Sequence, residues 1–181
     1  MGAVSTVDKF AFSDDSRTTL GTGLWKNLEK LAGCANSGTA AYFAGGNDGG
    51  GRYDDVNKFA FSDDSRTTLG AVLSANCDLL AGAANSGTAA YFAGGITSGA
   101  NVDKFAFSDD SRTTLGTGLS ASNYGGAGSA NSGVAAYFGG GVGMGANVDK
   151  FAFADDSRTT LGTGLSISIY NLAGAANSGA L

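Results

Sequence analysis

The stretch VDKFAFSDDSRTTLGTGL, Val102 to Leu119, decides the fold because it occurs four times. Close copies begin at Val7, Val56 and Val148, giving steps of 49, 46 and 46 residues. Its first six residues alternate: Phe105 and Phe107 share one face with Asp103, while Val102 and Ala106 share the other with Lys104. That is the period of a β-strand. Ser108-Asp109-Asp110-Ser111 then offers short polar side chains that bond their own backbone and turn the chain, and Arg112 to Leu119 returns as a second strand.

A second block, ANSGTAAYFAGG, starts at Ala35, returns at Ala84, recurs as ANSGVAAYFGGG from Ala130 and begins a last time at Ala176, where it breaks off as ANSGAL. Leu80 to Asn85 reads as a strand, Asn85-Ser86-Gly87 as a tight hairpin turn with glycine in the left-handed position, and Thr88 to Gly95 as the returning strand. From Leu24, Leu73, Leu119 and Leu165 to Asn36, Asn85, Asn131 and Asn177 the step is always twelve residues, so the three extra residues of the first repeat lie between Gly46 and Val56. Each unit therefore reads as four short antiparallel strands. Both faces of Ala89-Ala90-Tyr91-Phe92-Ala93 are apolar, as expected of a sheet covered on both sides. The reading is one all-β repeat domain over residues 1–181, a β-propeller of about four four-stranded blades, the last incomplete. The alternative is a stacked β-hairpin solenoid. Recurrence of the apolar positions at fixed spacing argues against disorder, since disordered linkers lack it.

Strand, turn, Tyr42-Phe43-Ala44-Gly45-Gly46, loop and a further strand pair resemble the kelch repeat, and the glycine pair follows Tyr91-Phe92 and Tyr137-Phe138 in the same way. The Trp that kelch repeats usually carry in the outer strand is missing. The Gly- and Phe-rich array is also similar to repeats of bacterial surface and phage-tail proteins, which implies an extracellular or virion-associated setting. In kelch order, from inner strand A to outer strand D, the chain opens with C and D and closes with A. The final blade then combines Val7 to Leu24 with Leu172 to Leu181 and lacks its B strand. An unpaired strand edge is a template for another chain, so self-association through this incomplete blade is expected.

Composition removes several functions. There is no His, so His-based triads, His metal clusters and the copper site of kelch-like oxidases are unavailable. The chain is not expected to be an enzyme. A net charge of −5 provides no basic stripe for nucleic acid. No eighteen-residue apolar run and no signal-peptide pattern is present. Cys34 and Cys77 fall at different places in their repeats, form no framework and read as small buried thiols. The paired acids 14 and 15, 63 and 64, 109 and 110, and 155 and 156 are alike in every copy, which fits turn capping, with salt bridges to Arg17, Arg66, Arg112 and Arg158, better than an active site. Gly139-Gly140-Gly141 lacks the Lys and Ser/Thr of a phosphate loop. No cofactor is expected; Ca²⁺ is the alternative, either at the repeated acid pairs or at Asn47 to Asp55, which has three acids but no defined ligand spacing.

In an up-and-down sheet the near-identical NSG and SDDS turns lie at one end, and all variable sequence lies at the other. Loops on a rigid scaffold are where recognition resides. The candidate contacts there are Trp25, Lys26, Glu29, Asn47, Asp48, Arg52, Tyr53, Asp54, Asp55, Tyr124 and Tyr170, rich in the types that anchor interfaces and stack on sugars. Two functions follow as expectations: a structural module of an extracellular fibre or virion appendage, or a propeller that binds a glycan or protein through its variable loops.

Overall fold

A computed structural model describes residues 2–176. Among them there is no helix. Fourteen strands run in chain order: β1 (Asp8–Phe10), β2 (Arg17–Thr19), β3 (Ala32–Asn36), β4 (Ala40–Ala44), β5 (Val56–Ala60), β6 (Arg66–Thr68), β7 (Ala81–Asn85), β8 (Ala89–Ala93), β9 (Val102–Ala106), β10 (Arg112–Thr114), β11 (Ala127–Asn131), β12 (Ala135–Gly139), β13 (Val148–Ala152) and β14 (Arg158–Thr160). They make three four-stranded antiparallel sheets, each in sequence order, β3 to β6, β7 to β10 and β11 to β14, with β1 and β2 as a separate pair. The repeat and its four-strand unit are thus as expected from sequence.

The outer strand is shorter than expected. It ends at Thr114, not Leu119, because Gly116 and Gly118 follow and glycine weakens a ladder. The other three strands of the unit are trimmed by one to three residues. The joining of Val7 to Leu24 with Leu172 to Leu181 into one sheet is not formed over the described residues: β1 and β2 pair only with each other. Residues 177–181 of that expected strand lie outside the described part.

The turns follow their chemistry. Gly38, Gly87 and Gly133 hold φ of 71°, 77° and 79° in the NSG hairpins, a conformation that costs glycine little. In the SDDS turns the first acid of each pair, Asp14, Asp63, Asp109 or Asp155, accepts the backbone N–H of Ser16, Ser65, Ser111 or Ser157 at 3.0–3.1 Å. The serine side chain, and then its backbone N–H, hold all four carboxyls below their ordinary range. The second acid, Asp15, Asp64, Asp110 or Asp156, sits at φ 56°.

The expected salt bridges from the turn acids to arginine are not formed. Arg17, Arg112 and Arg158 instead reach Asp8, Asp103 and Asp149, one strand away, at 3.0, 3.3 and 3.4 Å. Register explains this: Asp103 lies opposite Thr114, two residues beyond Arg112 on the same face. Arg66 faces Asn57 at the corresponding place, which carries no charge, and donates to the Gly23 carbonyl at 3.1 Å.

The second turn acid couples neighbouring sheets. Lys9 reaches Asp64 at 2.8 Å, Lys58 reaches Asp110 at 2.8 Å and Lys104 reaches Asp156 at 2.7 Å. In the last two junctions a tyrosine hydroxyl joins, Tyr42 donating to Asp110 at 3.0 Å and Tyr91 to Asp156 at 2.8 Å. Phe107 and Phe153 cover those tyrosine rings at 5.0 and 5.3 Å. The Ser74 and Ser120 N–H groups donate across the same junctions to the buried Asp103 and Asp149.

Apolar packing fills the space between. Tyr42, Val56 and Leu73 meet Ala90, Phe92 and Phe105 of the next sheet; Tyr91, Val102 and Leu119 meet Ala136, Phe138 and Phe151 of the one after. All five residues of β8 are buried, so the middle sheet is covered on both faces. Cys77 is buried in the first of these layers, which pushes its thiol up to about 11; Cys34 is only half-buried. At the first strand of each unit the backbones touch. A Cβ on Gly82 would lie 2.6 Å from the Gly33 carbonyl oxygen, one on Gly128 2.3 Å from that of Gly82, and one on Gly174 2.0 Å from that of Gly128. Gly33 meets only Phe43 and Tyr42 of its own sheet, so the described residues close no ring.

Candidate binding face

The antiparallel order of each sheet puts the β4–β5 loop and the β6–β7 connection at one end, with their counterparts in the other units. One group of side chains gathers there, all from the first repeat and the longer loop that follows β4. Asn47 pairs with Glu29 through two backbone bonds of 2.9 and 3.0 Å and bridges Arg52, folding residues 47–52 into a small hairpin. The Asp48 carboxylate accepts the Gly50 and Gly51 N–H groups at 2.9 Å and ties that hairpin shut.

Its other oxygen accepts the Tyr53 hydroxyl at 2.8 Å and meets the Lys26 ammonium at 2.8 Å; Lys26 also donates to the Tyr53 hydroxyl. The lysine, then the tyrosine hydroxyl and the Gly50 amide, hold the Asp48 carboxyl far below its ordinary range, and Asp48 and Tyr53 hold Lys26 above its own. The Trp25 ring stands edge-on to Tyr53 at 5.5 Å, and the Lys26 ammonium lies 4.1 Å from the Tyr53 ring centre. Trp25 is exposed. The result is an aromatic corner with an ion pair at its edge.

The remaining candidates take other positions. Arg52 donates from Nε to Asp78 at 2.8 Å. Glu29 pairs with neighbouring Lys30 at 3.2 Å. The Asp54 carbonyl accepts the Leu73 N–H. Burial, and then the charge of Asp54, push the Asp55 carboxyl above its ordinary range. Tyr124 and Tyr170 are exposed and make no hydrogen bond or ring contact with the group around Trp25.

Asp78, fully buried under Arg52, is the residue of this face that sequence reasoning missed. A signal was available: it stands five residues after Leu73, as Glu29, Tyr124 and Tyr170 stand after Leu24, Leu119 and Leu165. For a cation, the Asn47 to Asp55 loop offers few open ligands, since Asp48 is saturated by Lys26, Tyr53 and two amides. Among the described residues no three acidic, Cys or His side chains converge.

In comparison with known proteins, no family model and no curated sequence matches the chain.

Proposed function

We propose that this chain is a non-catalytic structural module that self-associates, its sheets arranged as kelch-like propeller blades. The propeller reading is supported by how the sheets meet. Packed sheets stand about 10 Å apart, as Tyr and Phe between them require, yet at their first strands the glycine backbones touch. Sheets that touch at one edge and stand apart at the other are wedges, and wedges turn about an axis where a solenoid would stack flat. Gly33, Gly82, Gly128 and Gly174, one from each unit, also line a single cleft of about 430 Å³.

The observation that carries assembly is Phe10. It is 61 % exposed, whereas Phe59, Phe105 and Phe151 at the same place in the repeat are 3 %, 0 % and 0 % exposed. Large apolar side chains left open beside an unpaired strand mark an interaction surface. By resemblance to other Gly- and Phe-rich arrays, the setting is a fibre or appendage outside the cell or on a virion. Light scattering after size-exclusion chromatography tests this: particles of two or more chains are expected as concentration rises, and a strict monomer at high concentration overturns it.

A second reading, recognition of a glycan or protein, is favoured by the corner of exposed Trp25 and half-buried Tyr53. On a glycan array, binding lost in Trp25→Ala and Tyr53→Ala supports it. No binding, or binding indifferent to both substitutions, argues against it.

A further inference from the structure

The junction between successive sheets has two halves. One is a Tyr and a Lys placed side by side on neighbouring strands, Tyr42 opposite Lys58 and Tyr91 opposite Lys104. The other is the next unit's SDDS turn, with its second Asp in the left-handed conformation and its Phe against the tyrosine ring. Each half is present once more without its complement. Tyr137 lies opposite Lys150 in the same register, and among the described residues neither side chain has a hydrogen-bond or ion-pair partner. In the first unit Asp15 holds the same φ of 56° as its three counterparts, yet among the described residues no lysine or tyrosine reaches it. Phe12, the counterpart of Phe107 and Phe153, is fully exposed.

We infer that Tyr137 and Lys150 form a socket for the Ser13 to Ser16 turn of a second copy of this chain, Asp15 entering between the hydroxyl and the ammonium while Phe12 covers the Tyr137 ring. Three features favour this occupant. The charges are complementary: a lysine and a carboxylate, each without an ion-pair partner among the described residues, would face each other. Both halves are preformed, so little ordering accompanies docking. The contact repeats one that the chain already makes twice within itself. Because the two surfaces belong to the first and the last unit, docking is head-to-tail, and successive copies form a filament, or a closed ring if their rotation completes a turn. The Ser166 N–H, matching Ser74 and Ser120, is then available to Asp8 of the incoming copy, which already binds Arg17 and Thr19 as Asp103 binds Arg112 and Thr114.

This rests on the assembly reading above, and charge reversal separates the two. The 181-residue chain is prepared as wild type, Asp15→Lys and Lys150→Glu, with circular dichroism and thermal melts to check folding; both sites are at least partly open to solvent. Sedimentation velocity over a concentration series is the readout. Wild type is expected to associate. Each variant alone places like charges in the junction and is expected to associate at least about tenfold more weakly. An equimolar mixture restores opposite charges at every junction and is expected to recover association. If both variants associate as wild type does, another surface carries assembly: the socket falls and the assembly reading stands. A wild type that stays monomeric throughout overturns both, and if each variant also melts lower than wild type, Asp15 closes onto its own Lys150.

Discussion

Lys30, Leu79, Gly125 and Asn171 occupy one place in the repeat, just before the first strand or its counterpart, and all have positive φ, between 57° and 66°. They stand in a line of backbone bonds across the molecule: Leu79 N–H to Lys30 carbonyl, Gly125 to Leu79, Asn171 to Gly125, at 2.7–2.9 Å. The bond pattern fixes the backbone there whatever the side chain, and a non-glycine residue in this region costs about 1–2 kcal/mol. Only the third repeat has glycine. Lys30 is exposed and its pair with Glu29 lies on the surface, where such pairs contribute little. Lys30→Gly is therefore expected to raise stability in urea by about 0.5–1 kcal/mol, after allowance for the greater freedom of glycine in the unfolded chain. Leu79→Gly also removes a half-buried side chain and is expected to gain less. No change at Lys30 would mean that the line of bonds carries no strain.

Among the elements, the first strand of each unit is the most constrained because of its glycine. In Gly128→Ala the added methyl would lie 2.3 Å from the Gly82 carbonyl oxygen and 3.1 Å from the Phe138 ring. Neither backbone can yield without parting two sheets, so the substitution is expected to destabilise by about 3 kcal/mol, the upper part of the range for overpacking. Gly116→Ala is the matched control: nothing lies within 4 Å of its Cβ position and its φ is not positive. Its stability is expected to stay within about 0.5 kcal/mol of wild type. Equal losses in chemical denaturation would show that the close approach is not what selects glycine. The strands themselves were legible from alternation, and both turns from Asn-Ser-Gly and Ser-Asp-Asp-Ser. What escaped is anything set by register or by the neighbouring sheet. Arg112 lies nearer in sequence to Asp110 than to Asp103, so proximity suggests the wrong pair. Lys58 and Asp110 stand 52 residues apart, and no local pattern joins them. The candidate face was legible as variable sequence, but the meeting of Trp25, Lys26, Asp48 and Tyr53 depends on how one loop folds back, which composition does not encode.

At the scale of the molecule, every coupling just described reaches one unit and no further. Lys9 to Asp64, Lys58 to Asp110 and Lys104 to Asp156 span 55, 52 and 52 residues, one repeat plus the offset between the two positions. A structure held by nearest-neighbour contacts gains stability as units are added, because each new unit supplies its own core and one more junction. A ring of fixed size behaves otherwise, since an added blade forces its closure open. The 46-residue unit 81–126 can be duplicated after residue 126 without disturbing the repeat, because residue 127 stands where residue 81 does. The lengthened chain is expected to fold into one more four-stranded sheet, to unfold at a higher urea concentration and to show a steeper denaturant dependence, in proportion to the extra surface buried. It should also keep the far-ultraviolet dichroism per residue of wild type. A lower midpoint, or a separate early transition belonging to the inserted unit, would mean that the number of sheets is fixed by contacts beyond nearest neighbours, with Gly174 meeting Gly33 in solution.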